Sequence, residues 1–171
     1  DIPAASDFIQ SVPDEGLPAT ERTEVWVMFD EDNVYVSGRC WDSAPESQWV
    51  VNEMRRDSPN IIQNEGITIL LDTFYDRRNG ILLSVNPIGG RMDGQVTDER
   101  MQSYNADWNP IWRVEPGRFE NGWTFEAAIP FKSLRYAPGR AQVWGMNLSR
   151  RVRWKNEISY LVPMPAAREP G

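Results

Sequence analysis

The sequence predicts an all-β fold, an antiparallel β-sandwich of jelly-roll type with little helix. Three observations carry that expectation. Short apolar, β-branched or aromatic segments recur along the whole chain, each bounded by Gly, Pro, Asn or Asp. The connections between them are short and polar. Helical spacing is confined to one stretch, which leaves sheets stacked on sheets as the way to bury the apolar faces.

Taken in order, the segments are "EVWVMF" (24–29), "NVYVSGRCW" (33–41), "GITILLD" (66–72), "GILLSVNP" (80–87), "WRVEP" (112–116), "GWTFEAAIP" (122–130), "VWGMNLSRRV" (143–152) and "EISYLVP" (157–163). Between the first two, "DEDN" is the kind of polar tetrad that closes a hairpin. In "GWTFEAAIP" the period is two: Trp123, Phe125, Ala127 and Ile129 share one face, and Thr124, Glu126 and Ala128 the other. Pro130 ends that ladder because it has no N–H to donate. The helix candidate is "APESQWVVNEMRRD" (44–57), with Trp49, Val50 and Met54 near helical spacing, and "PFKSLRY" allows a single turn after Pro130. Two stretches read as linker, "SVPDEGLPAT" near the start and "PMPAAREPG" at the finish, around one domain with its core at about residues 8–163.

A chain of 171 residues with 40% hydrophobic residues is the size of one domain with a full core. Its net charge of -7 works against general affinity for nucleic acid or anionic lipid. No uncharged apolar run reaches the roughly 18 residues of a membrane helix. The acidic opening "DIPAASDF" lacks the pattern of a signal peptide, which fits a processed or excised piece of a longer protein. Histidine is absent, so Ser-His-Asp and Cys-His catalysis and imidazole zinc sites are excluded. Carboxylate-only chemistry, as in glycoside hydrolysis, survives, but the sequence does not single out a pair among 25 acidic residues. The single cysteine, Cys40, lies in an apolar segment and reads as a buried, inert thiol.

Eight tryptophans are several times the average share. Indole rings stack on the apolar faces of sugar rings, so exposed tryptophans on a sandwich suit glycan binding. Trp26, Trp123 and Trp144 lie among apolar neighbours and read as core, and Trp112 reads as inward. Trp41, Trp49, Trp108 and Trp154 have polar or charged neighbours; of these Trp41, Trp108 and Trp154 are the candidate platforms. "FDEDNVY" fails the EF-hand pattern, with Val34 at its fifth position, and reads as a solvated turn. "DTFYDRRNG" places Asp72 and Asp76 around a strand exit; a charged loop is the plainer reading, with calcium a possible cofactor there. "SRRVRWKNE" mixes basic residues with Trp154, a pattern that suits nucleic acid or a charged strand edge.

The segments "EVWVMFDEDNVYVSGRCWDS", "DTFYDRRNGILLSVNPIGGRMDGQ", "WNPIW", "NGWTFEAAIPFKSLRY" and "VWGMNLSRRVR" resemble the family 9 carbohydrate-binding-module-like domain. The resemblance runs in order over residues 8–163, and is strongest to the version at the N-terminus of large bacterial envelope proteins whose C-terminal part forms a membrane barrel. It implies a jelly-roll sandwich, an extracytoplasmic location and carbohydrate binding. In the sugar-binding members two tryptophans clamp a sugar, helped by an arginine and a glutamate. The first tryptophan position, ten before Asp72, is Ile62 here, and the glutamate position, four before it, is Thr68. The arginine position, two before Asn86, is Ser84, and "SYLVPMPAAREP" has no second tryptophan. The expectation is therefore a non-catalytic module that binds carbohydrate or an envelope glycan at a remodelled site. The alternative is an interaction domain docking on a membrane barrel or partner of the same parent protein, with sugar binding lost. A glycoside hydrolase is the third reading. Glu126 belongs to the strand pattern in any of them.

Overall fold

The computed structural model describes residues 2–97, 100–105, 107–139 and 141–164. Eleven strands form two antiparallel sheets. They are β1 (Ile9–Val12), β2 (Thr23–Phe29), β3 (Asn33–Trp41), β4 (Gly66–Asp72), β5 (Gly80–Val85), β6 (Arg91–Thr97), β7 (Arg100–Asn105), β8 (Arg113–Phe119), β9 (Gly122–Pro130), β10 (Gly145–Val152) and β11 (Glu157–Tyr160). One sheet runs β1-β11-β10-β4-β5-β6-β7, the other β2-β3-β9-β8. This is the predicted two-sheet sandwich, and among the described residues the only helix is a few single 3-10 turns.

The core lies between the sheets and follows from the period of two. Trp123, Phe125, Ala127 and Ile129 of β9 are all buried and meet Val34, Val36 and Cys40 of β3. Ile67, Ile69 and Leu71 of β4, Leu83 of β5 and Leu148 of β10 face them from the larger sheet. Glu126 points outward and is exposed, opposite Ser37 and Glu115. The "DEDN" tetrad closes the β2–β3 hairpin, with Asp30 Oδ1 accepting from the N–H groups of Asp32 (2.8 Å) and Asn33 (2.7 Å). Phe131–Ser133 makes the turn expected after Pro130.

Several expectations are corrected. Residues 44–57 form no helix beyond the turn Glu46–Gln48. Their apolar residues share no buried face: Met54 is 68% exposed and Val50 38%, while Glu53 is buried. The backbone is held instead by Asn64, whose Oδ1 accepts from the N–H groups of Asn52 and Glu53. Trp26 is not core. In β2 the inward positions are Thr23 and Val25, so Trp26 lies outward, its Nε1 donating to the Ile2 carbonyl (3.2 Å). Trp123 and Trp112 are fully buried as expected, and Trp144 packs at the core's margin against Phe131 and Tyr136.

The basic run at Arg150 does not line a sheet edge, because β10 lies between β11 and β4, and Arg150 is buried. The stretch Ser11–Thr20, read as linker, is tied to the fold: Gln10 N–H donates to Leu17 O, Ala19 N–H to Phe8 O, and Thr20 to Glu157. The linker-like residues from Pro165 onward lie outside the described residues.

Candidate functional site

The outer face of the seven-stranded sheet carries an ordered row of side chains. Cross-strand pairing aligns Ile9, Tyr160, Ser149, Thr68, Ser84 and Met92 on β1, β11, β10, β4, β5 and β6. Strands are spaced by roughly 5 Å, so Ser149, Thr68 and Ser84 form a polar floor about 10 Å long with the Tyr160 ring at one end. Thr68 Oγ1 and Ser84 Oγ are hydrogen-bonded at 2.8 Å. Ile62 rises at the other end from the 3-10 turn Pro59–Gln63, packed on Ile61, Leu82 and Met92. A groove of about 60 Å³ lies over this floor, lined also by Arg151 and Ile158 from the neighbouring row. Hydroxyls that donate and accept are set there between apolar side chains.

Arg150 fixes the register that creates this face. Its side chain points inward, is fully buried, and pairs with Glu65 Oε1 at 2.9 Å and Asp42 Oδ2 at 3.6 Å. Its guanidinium carbon lies 5.5 Å from the Trp123 ring centroid. A one-residue slip of β10 would throw this charge outward and drive Ser149 and Arg151 into the core. Burial pushes the Glu65 carboxyl above its ordinary range, against the opposing pull of Arg150 and of the Arg153 N–H. Burial also pushes the Cys40 thiol up to about 11, which makes it the inert thiol expected.

Ile62, Thr68 and Ser84, the positions that the sequence resemblance aligns with a clamp, are separated in sequence but come together as lining of this one groove. Tyr160, to which the sequence assigns no role, and Arg151, read there only as part of a basic run, line it too. The sequence held no signal for this: it is the pairing of β10 with β11 that puts Tyr160 beside Ser149.

None of the three platform tryptophans lines the groove. Trp41 ends β3, half-buried, with Phe119 edge-on at 5.5 Å and the Arg22 guanidinium carbon 4.5 Å from its ring centroid. Trp154 is 39% exposed, its Nε1 donating to Asp42 Oδ1 at 3.1 Å. Trp108, half-buried, packs on the core from the β7–β8 connection. Trp41 and Trp154 are thus neighbours through Asp42, and Trp108 is not shown to join them. Close by, an open cleft of about 390 Å³ is lined by Asp42, Glu46, Trp49, Arg118, Phe119 and Asn121. The Arg118 guanidinium carbon lies 5.4 Å from the Trp49 ring centroid, and its Nε bonds Glu46 at 3.0 Å.

Asp72 and Asp76 bind their own loop. Asp72 accepts from the N–H groups of Asp76 (3.2 Å) and Arg77 (2.7 Å), and Asp76 from those of Arg78 (2.8 Å) and Asn79 (2.9 Å). Among the described residues no three His, Cys, Asp or Glu side chains cluster at metal-binding distance.

The architecture is that of a two-sheet antiparallel sandwich, and solved structures share it. A family 9 carbohydrate-binding module from Caldicellulosiruptor kristjanssonii, in complex with cellotriose, superimposes with a TM-score of 0.63 at 14% identity, covering 94% of this chain and 72% of that one. In complex with glucose, a family 9 module from the same organism gives 0.61 at 17% identity, covering 94% and 74%. A candidate carbohydrate-binding protein from Bacteroides uniformis ATCC 8492 gives 0.74 at 6% identity, covering 99% and 81%. At these identities the likeness is one of fold. No family model and no curated protein matches the chain.

Proposed function

We propose that this chain is a non-catalytic glycan-binding module of an extracytoplasmic bacterial envelope protein, with its site in the groove over Thr68, Ser84, Ser149 and Tyr160. The observation that carries the reading is the convergence of Ile62, Thr68 and Ser84, the clamp-equivalent positions, on one groove next to an aromatic ring. The fold shared with modules seen in complex with cellotriose and glucose supports it. Tyr160 takes the aromatic role that no tryptophan fills here. Trp41, Trp108 and Trp154 are the alternative platform within the same function, and calcium at Asp72 and Asp76 is its candidate cofactor.

Isothermal titration of the folded protein with neutral and acidic oligosaccharides, with calcium and with chelator, tests the reading. Saturable binding is expected, and Tyr160→Ala should weaken it about tenfold, as loss of a stacked ring does. Single alanine variants at Trp41, Trp108 and Trp154 should leave it unchanged; a loss confined to one of them moves the site to that indole. No binding by any sugar overturns the proposal.

One observation favours the docking alternative. The second half of β2, an edge strand, exposes Val27 (39%), Met28 (42%) and Phe29 (79%), an apolar strip suited to a barrel or partner domain of the parent protein.

A further inference from the structure

We propose that the cleft at Trp49 is a second saccharide site, separate from the groove, and that it takes a neutral sugar through the Arg118–Glu46 ion pair. The inference goes beyond the groove reading and does not depend on it.

Three features lead to it. The first is size. At about 390 Å³ the cleft lies in the range of small-ligand pockets, roughly 300 to 1,000 Å³, whereas the groove holds about 60 Å³. The second is that both rims are fixed before any ligand arrives. On one rim, Trp49 Nε1 donates to the Ala44 carbonyl (3.2 Å) and the Ala44 N–H to Asp42 Oδ1 (2.9 Å). The Asp42 N–H donates across to the Asn121 carbonyl (2.9 Å), which ties that rim to the β8–β9 turn. On the other rim Arg118 donates from Nε to Glu46 and from Nη1 to the carbonyls of Pro87 and Gly117, with its guanidinium over the Trp49 ring. Little ordering is left for binding to oppose.

The third feature is the chemistry of the lining. The fold uses Arg118 Nε and Nη1 and Glu46 Oε1; among the described residues Arg118 Nη2 and Glu46 Oε2 have no partner. Both side chains stay within reach of a ligand, 33% and 64% exposed. The ion pair therefore offers a donor and an acceptor from one fixed unit. Two neighbouring sugar hydroxyls answer both, one accepting from the guanidinium and the other donating to the carboxylate. Trp49, Phe119, Ala44 and Pro45 supply apolar surface for the C–H face of the ring. Charge then sets the class of sugar. Arg118 and Glu46 neutralise each other, and Asp42 is paired with Arg150 at 3.6 Å. The remaining charged residue of the lining, Glu120, is negative and disfavours carboxylate and sulfate sugars.

Two signals separate the sites, because Trp49 lines the cleft and no tryptophan lines the groove. The folded protein is titrated at low salt with a neutral cello-oligosaccharide and with an oligogalacturonate of equal length, following tryptophan emission and heat. The neutral sugar should give a saturable emission change that Trp49→Phe removes. Glu46→Gln should move that optical curve to about tenfold weaker affinity, the loss expected when a charge-assisted bond becomes a neutral one. Tyr160→Ala should leave the optical curve within about twofold. The oligogalacturonate should give an optical curve about tenfold weaker than the neutral sugar, and the gap should shrink with added salt. Heat of binding without an emission change overturns the second site and leaves the groove standing. So does an emission change that Tyr160→Ala abolishes, or one that persists in Trp49→Phe. An optical curve untouched by Glu46→Gln overturns the role of the ion pair, and equal optical affinity for both sugars overturns the assignment to a neutral one. Heat that Glu46→Gln removes and Tyr160→Ala does not change supports the cleft and overturns the groove. A folded protein that gives neither signal overturns both.

Discussion

Glu53 holds a segment that has no regular structure of its own. Its Oε1 accepts from the Arg55 N–H (2.9 Å) and Nε (3.2 Å), and its Oε2 from Arg55 Nη2 (2.9 Å) and Ser58 Oγ (2.6 Å). Arg55 first, and then Ser58, hold the carboxyl far below the usual carboxylate range. A depressed folded-state pKa means the ionised form is favoured by folding. Its stabilisation is present above the unfolded-state pKa and is lost as pH falls towards the folded-state value. We expect Glu53→Gln to lower the melting temperature at about pH 7, and the gap from wild type to narrow towards about pH 3. A gap that stays constant over that range would mean the ionised carboxylate is not what holds the loop. The segment matters to the site because Asn64, which caps it, and Ile62, which walls the groove, sit on the same turn.

At the scale of elements, the strands with strict alternation formed where expected and those without it did not announce themselves. β3, β4 and β9 match the predicted spans residue for residue. β1 and β6 were missed because polar residues take buried positions in them, by themselves in β1 and beside Met92 and Val96 in β6. β6 buries Asp93, which accepts from Trp112 Nε1 (2.9 Å) and pairs with Arg56 (3.1 Å), and β1 buries Gln10 and Ser11. Such strands depend on partners from elsewhere in the chain. β3 and β9 approach so closely that Gly38 is required: a Cβ there would stand 2.3 Å from Phe125 Cε1, in the middle of the core. Gly38→Ala should therefore cost about 1–3 kcal/mol by overpacking, read as a lower denaturation midpoint with unchanged m-value. An unaffected midpoint would show that the Phe125 ring can turn aside.

For the molecule as a whole, the two sheets expose unlike features. One carries the hydroxyl groove on its outer face, and the other exposes Val27, Met28 and Phe29 at the end of its edge strand β2. Because the groove and the strip belong to different sheets, a change in one should not reach the other. Phe29→Lys is expected to shift stability by no more than about 0.5 kcal/mol, as for a surface substitution free of packing, and to leave oligosaccharide affinity unchanged. Loss of sugar binding in that folded variant would mean that the ligand runs over the β2 end, and would move the proposed site.

The sequence by itself determined the all-β class, the hairpin at Asp30, the core face of β9 and the inert thiol of Cys40, because each depends on local period or local turn chemistry. A resemblance in sequence aligned Ile62, Thr68 and Ser84 with the positions of a sugar clamp whose own residues are missing here, and did not show them to be neighbours. The tertiary structure alone decided which residues face one another across strands. It put Tyr160 and Arg151 beside that hydroxyl floor, turned Trp26 outward within an unbroken apolar run, and buried Arg150 against Glu65. The reason is that alternation within a strand says which residues share a face, while pairing between distant strands says what that face will contain.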